Sequence, residues 1–334
     1  MNVPSLSRAR MIGVLGALAL PALAPRSVRA ADTYTLRASV ATAPGSTHDL
    51  VVERFAAAVA KRSGGQLTIE VFPSSQLVKQ SDTINALSSG VVDLVLDSSV
   101  VLQNVLPQIQ VFDMPFLFKD LETGLRVLDG PVGDYFSAQL ATKGITLLAW
   151  GSGGLKQLET TSRLITVPDD MKGLKIRILP FPIYAAMYQA LGAVPLSIDF
   201  AETYMALQQH TVEAIDSSLD AATAANMYVV CKRCALSNHI FSVTPLVANK
   251  AKVDALPPAL QKILKEEAHA VIPFWRATYN KHIGDVIETM KKNGVAFNEI
   301  QHAPFRAAME PVYATYRTKL GGDLLDRVSS AANA

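Results

Sequence analysis

"GLKIRILPFPIYAAM", residues 173–187, decides how this chain folds. A short apolar strand, Leu174-Lys175-Ile176, runs into Arg177; a turn with Pro180 and Pro182 follows, and a helix begins. A strand that passes through a short turn into a helix is the unit of layered α/β architecture. Pro182 suits the first turn of that helix, where its missing N–H has no partner to lose. Arg177 is the odd member. It carries a permanent charge among Ile178, Leu179, Phe181 and Ile183, where an unpaired cation is costly. Its planar guanidinium is the fork that grips a carboxylate through two bonds. The C-terminal end of a strand is also where open α/β sheets bind ligands.

Outward from this stretch the α/β pattern continues. Residues 33–40 alternate as a strand, "APGSTHDL" turns into a helix over roughly 46–63, and residues 67–72 form a second strand. "INALSSGVVDLVLDSS" (84–99) and "YMALQQHTVEAIDSS" (204–218) share an order of parts: a helix end, a breaker, a short strand with an acid, and Asp-Ser-Ser. Two domains that each deliver a strand end and a serine loop to one shared place would produce this pattern. Residues 145–150 form an apolar strand that meets "GSGG" (151–154), the best candidate for a crossover or hinge. Pro257-Pro258 opens a long helical pattern reaching Asn293-Gly294, with Pro273 predicted to kink it. Residues 304–328 read as one final amphipathic helix.

The 334 residues, 49% hydrophobic, are enough for two domains. The net charge is +2, but the first thirty residues hold Arg8, Arg10, Arg26 and Arg29 and no acid, so the remainder is near −2. That balance gives no basic field for nucleic acid or anionic membrane. The leader reads as an export signal over residues 1–30: a basic start, an apolar run over 11–23, and Val28-Arg29-Ala30 as a small-x-small cleavage site. The mature protein is therefore expected in the periplasm.

Chemistry-bearing motifs are scarce. "GSGGLK" fails as a dinucleotide or phosphate loop, Trp150 stands where a nucleophile elbow needs glycine, and the six histidines are scattered. Asp97 and Asp216 read as capping or structural acids. "CKRC" (231–234) offers two thiols, too few for a zinc site, and reads as a local disulfide or two inert thiols. No catalytic residue, metal or cofactor is expected.

"PDDMKGLKIRILPFPIYAAMYQALGAVPLSIDFAETYMALQQHTVEAID" (168–216) closely resembles the central block of the solute-binding proteins of tripartite ATP-independent periplasmic (TRAP) transporters, dicarboxylate-binding type. "TAPGSTHDL", "GGQLTIEVFPSSQLV", "VFDMPFLFKD", "LDGPVG" and "SNHIFSVTPLVANK" extend the likeness, in order, over essentially all of the mature chain. The resemblance implies an α/β two-lobe periplasmic-binding-protein fold with a central cleft, chain crossovers between lobes and a long kinked helix spanning them. Residues 31–153 with about 243–280 would form lobe I, and 154–242 with about 281–334 lobe II. It implies no enzyme but a monomeric carrier that hands a small organic acid to integral membrane transporter subunits.

The family's hallmark arginine ends "GLKIR", here Arg177, and ion-pairs the ligand carboxylate. Phe200 matches an aromatic that covers a ligand face. Lys156 stands where a second cation is common, without arginine's fork. Ser217 replaces a usual asparagine. His48, Gln76 and Ser98 fall in segments expected to face the cleft from the first domain. Lys156 and Ser217 weaken the case for a C4-dicarboxylate and favour a monocarboxylate with an apolar or aromatic body, or a 2-oxo acid. Two other functions fit parts of the pattern: a ligand-sensing partner of a membrane receptor, using the same cleft, and a secreted α/β hydrolase, which lacks a nucleophile-base pair.

Overall fold

A computed structural model of the protein describes residues 32–334; the export signal expected over 1–30 lies outside them. The strands are β1 (Tyr34–Val40), β2 (Leu67–Phe72), β3 (Leu94–Leu96), β4 (Ile145–Thr160), β5 (Lys175–Ile178), β6 (Val194–Ser197), β7 (Ala214–Ser218), β8 (Arg233–Asn249) and β9 (Ala296–Glu299). Among the described residues they form one sheet, ordered β2-β1-β3-β8-β4-β7-β5-β6, with β9 paired to β8. β1 pairs in parallel with β2 and β3, and β5 pairs in parallel with β6 and β7. The two flanks therefore repeat one topology: a first strand in the middle, a helix, a second strand outside it, a helix, and a third strand inside it. This is the structural content of the similarity between residues 84–99 and 204–218.

β4 and β8 join the flanks. They run antiparallel from Ile145 opposite Asn249 to Thr160 opposite Arg233. β3 attaches to β8 at one end of this pair, and β7 attaches to β4 at the other. The segment expected as a crossover or hinge, "GSGG" at 151–154, lies inside β4, one of the strands that join the flanks, with ladder irregularities between Leu147 and Ala149, Ser152 and Gly154, and Lys156 and Leu158. Its glycines answer to packing. A Cβ on Gly151 would stand 2.4 Å from the Trp275 ring, and one on Gly154 would stand 1.6 Å from the Tyr279 hydroxyl. Gly154 also has φ +92°, a conformation that glycine tolerates best. The helix carrying both aromatic residues lies directly on the strand pair.

That helix, Ile272–Lys292, continues from Pro258–Ala270 after a break at Val271. Pro273 has no N–H for the ladder, so the bend falls where the sequence predicts. The single last helix expected over 304–328 is instead three: His302–Ala308, Glu310–Leu320 and Gly322–Asn333, divided at Met309 and Gly321. Glu310–Leu320 packs on the helix Pro182–Ala190, whereas Gly322–Asn333 packs on Leu121–Leu128 and Pro131–Thr142.

The first helix, Thr47–Arg62, is started by the Ser46 side chain accepting from the Asp49 N–H, and Lys61 and Arg62 sit at its carbonyl end. It buries Val51, Val52, Phe55 and Val59 against β1 and the helix Pro258–Ala270. A second core on the other side of the sheet runs from Ile84 and Phe112 through Tyr184 and Tyr188 to Val328.

Candidate functional site

β5 is a four-residue strand whose Ile176, Arg177 and Ile178 are buried between β6 and β7. Arg177 is 3% exposed. Its Nε donates to the Ile198 carbonyl at 2.7 Å, and its guanidinium lies over the Phe200 ring, 5.5 Å from the centroid. Nη2 has no partner, and no carboxylate forms an ion pair with this arginine among the described residues. Burial pulls its pKa down to about 10, only partly offset by the more distant Asp216 and Asp199. The group stays charged at neutral pH and lacks a counter-ion of its own.

Arg177 faces a cavity of about 60 Å³. His48, Ser98, Lys156, Phe200 and Ser217 line it too, so six of the seven residues singled out in the sequence converge. Gln76 does not. It is exposed beyond Ser74 and Ser75, whose φ angles of 53° and 57° turn the chain outward. One turn later Gln80 swings in and is 6% exposed.

The Asp-Ser-Ser segments meet at this cavity from both flanks. Asp97 and Ser98 follow β3; Asp216, Ser217 and Ser218 end β7. The two acids do different things. Asp216 accepts from Lys156 Nζ at 3.3 Å and lies 3.7 Å from His239 Nε2. Burial alone would raise its carboxyl, but Lys156, His239 and Arg177 together take it below the usual range. Lys156 Nζ also donates to Tyr184 Oη at 3.1 Å, and Tyr184 donates to Asp113 at 2.8 Å. Asp113 is pushed up to about 6 by burial, against the pull of Lys156. Lys156 therefore lines the cavity with its charge engaged inside the protein, and Arg177 is left as the cation on offer.

Asp97 accepts from Gln80 Nε2 and from the Ser98 N–H, both at 2.6 Å and both through Oδ1. Its Oδ2 has no partner among the described residues, nor have Gln80 Oε1 and His48 Nε2. Burial raises the Asp97 carboxyl to about 7, against Gln80, the Ser98 amide and Arg177. Burial likewise lowers the His48 pKa, opposed by Asp220, so the ring is held towards its neutral form. Sequence reading passed over Asp97 as a capping acid and had no signal for Gln80; the match between the two Asp-Ser-Ser segments was the available clue.

Several bonds tie the flanks together around the cavity. Thr47 donates to Asp220 through its N–H at 3.0 Å and its hydroxyl at 3.1 Å, and His282 Nε2 lies 3.4 Å from the same carboxylate. On the other side Ser81 donates to Asp199 through N–H and hydroxyl, and Lys79 pairs with Glu202 at 3.0 Å.

A larger surface depression, about 560 Å³, lies among Phe116, Arg306, Glu310, Tyr313 and Arg317. Arg317 there is paired with Asp326. Converging unpartnered polar atoms, rather than size, make the smaller cavity the candidate site. Cys231 and Cys234 are buried free thiols away from it, both pushed up by burial. No group of three or more His, Cys, Asp or Glu suited to a metal occurs among the described residues.

Residues 38–319 match the model of the bacterial extracellular solute-binding protein family 7, DctP. The chain belongs to that family. A solute-binding protein of Verminephrobacter eiseniae is 31% identical over 303 residues, 90% of each chain. The C4-dicarboxylate-binding periplasmic protein DctP of Rhodobacter capsulatus is 29% identical, covering 96% of this chain and 98% of its own. A TRAP periplasmic solute-binding protein of Roseobacter denitrificans, solved with bound β-D-glucuronate, superposes with TM-score 0.85 at 27% identity, covering 90% of this chain and 99% of that one. Family and fold are those of the substrate-binding proteins of TRAP transport. The two-lobe α/β fold with crossovers and a long bent helix, expected from the resemblance, is present in this solute-binding protein.

Proposed function

We propose that this TRAP solute-binding protein works in the periplasm, after removal of residues 1–30, as a monomeric receptor that takes up a small organic acid and delivers it to integral membrane transporter subunits. The ligand carboxylate pairs with Arg177, and Phe200 covers one face of the ligand. Lobe I is taken as 31–153 with about 243–280, and lobe II as 154–242 with about 281–334; the site lies where they meet. The lobes close over the ligand, and the bonds from Thr47 to Asp220 and from Ser81 to Asp199 belong to the closed form. Names of relatives fit an organic acid: one is a C4-dicarboxylate-binding protein, and one solved structure holds glucuronate.

One observation carries this reading. A 3%-exposed guanidinium faces a cavity and has no carboxylate partner among the described residues. Arginine in that state raises the free energy of the empty site and becomes favourable once an anion enters and water leaves. Native mass spectrometry of the mature protein as purified from its own host tests it, with the retained molecule identified after release. A small carboxylic acid is the expected result; a retained molecule without an acidic group would overturn the reading.

A further inference from the structure

A cavity that receives an anion contains a carboxyl group of its own. Asp97 lines it together with Arg177 and is 5% exposed. Its Oδ1 is fixed by Gln80 Nε2 and the Ser98 N–H, whereas Oδ2 has no partner among the described residues. Oδ2 is therefore the atom of Asp97 left to meet whatever enters. A space of about 60 Å³ cannot keep a carboxylate on Arg177 far from it.

Asp97 can meet an anion in two ways. Ionised, it repels the newcomer. Neutral, it carries a hydrogen on Oδ2 and donates it to the anion in a short, charge-assisted bond. Two carboxylates sharing one site do not both stay ionised, so the anion favours the neutral form. The empty protein already stands near the balance of the two forms, because burial raises the Asp97 carboxyl to about 7.

The charged and titratable groups around Asp97 are otherwise engaged. Lys156 and Asp216 pair with each other at 3.3 Å. Asp199 accepts from Ser81, and Lys79 pairs with Glu202. Arg177 keeps its charge throughout. His48 leaves Nε2 free, but burial holds its ring towards the neutral form. Asp113, pushed up to about 6, lies behind Tyr184 and does not line the cavity.

We propose that Asp97 is a proton site coupled to ligand capture: the acid enters as its anion, Arg177 holds the carboxylate, and a proton from solvent binds Asp97 Oδ2 and is donated in a hydrogen bond to the anion. This rests on the receptor reading above and goes beyond it by giving the site a second, dissociable occupant. One anion and one proton come in together. The complex keeps a proton that the empty protein loses as pH rises, so affinity is level in mild acid and falls on the alkaline side.

The test is calorimetry on the mature protein at pH 6 and pH 8, each in two buffers of different ionisation enthalpy, free of carboxylate and phosphate. The probes are pyruvate, mandelate, D-glucuronate and L-malate. An acid that binds should take up close to one proton per molecule at pH 8 and close to none at pH 6, and should bind about tenfold more weakly at pH 8. Asp97→Asn puts a permanent donor at that corner, so at pH 8 it should bind the acid about tenfold more tightly than the wild type, without proton uptake. A carbon-13 titration of the wild-type Asp97 carboxyl needs no variant: its midpoint should rise from about 7 to at least about 8 when the acid is added. Binding at pH 8 without proton uptake, an Asp97 midpoint that the acid leaves unmoved, or uptake that persists in Asp97→Asn, which would place the proton on His48, would overturn the assignment. In each of these cases the acids still bind and this inference alone fails. If none of the four acids binds at either pH, the receptor reading fails with it.

Discussion

Replacing Arg177 by methionine separates a ligand-binding arginine from a structural one, because the two predict opposite costs for the empty protein. Burial, partly offset by Asp216 and Asp199, lowers the arginine to about 10, a net penalty of about 3 kcal/mol carried by the ligand-free fold. Against that stands the bond from Nε to the Ile198 carbonyl, of a charged kind that contributes about 1.5–3 kcal/mol. The two nearly cancel, and methionine fills similar space under Phe200. The empty Arg177→Met protein should therefore stay within about 2 kcal/mol of the wild type, a melting shift of no more than about 8 °C in either direction. Binding should behave differently. Truncating one partner of a buried ion pair costs about 2–5 kcal/mol, or about 30- to 5,000-fold in affinity. Calorimetric melting of dialysed protein, with titration of the acid identified by native mass spectrometry, reads both quantities. A structural arginine would instead cost about 3–5 kcal/mol of stability on removal. A fall of that size with affinity retained would refute the assignment of Arg177 to the site.

Glu159 offers a prediction away from the site. It is fully buried, neither carboxylate oxygen has a partner among the described residues, and burial raises it from 4.5 to about 8. The folded protein thus keeps a proton that the unfolded chain loses above about pH 4.5, so this contribution is complete below that pH and fades as pH rises towards 8. Glu159→Gln should match the wild type in urea unfolding at pH 4.5 and exceed it at pH 8, by at most about 5 kcal/mol; equal differences at both pH values would show that Glu159 does not titrate this way. Thr47→Val removes one of the two donors to Asp220 while keeping the N–H bond. Ligand release in stopped flow should quicken about tenfold or more with association unchanged; an unchanged release rate would mean that this bond does not hold the closed form.

Much of this was legible because strand ends in α/β folds have a regular use. Arg177, Lys156, Phe200 and Ser217 were found from the strand-turn-helix pattern and a family likeness, and the structure brings them to one cavity. What escaped depends on groups distant in the chain. Lys156 reads as a free cation until Asp216 and Tyr184, 60 and 28 residues away, are placed beside it. "GSGG" reads as a break between elements, and not as the inside of a strand, because the packing of Gly151 and Gly154 against Trp275 and Tyr279 comes from a helix far downstream. Gln76 reads as facing the cleft because nothing in Pro73-Ser74-Ser75 announces two consecutive left-handed residues. The last helix divides where Pro311 and Gly321 interrupt an otherwise continuous apolar stripe, a boundary that periodicity blurs.

The paired strands β4 and β8 set a condition on any motion of the lobes. Two of the three passages between the proposed lobes, β4 and β8, are zipped to each other along their length, and the third lies within the helix Ile272–Lys292, so parting the halves cannot work as a slack tether would. It must flex a two-ply ribbon, and the three irregular steps in its ladder are the compliant points where that flexing costs least. Amides elsewhere in the ribbon should then keep one level of exchange protection whether the molecule is open or shut.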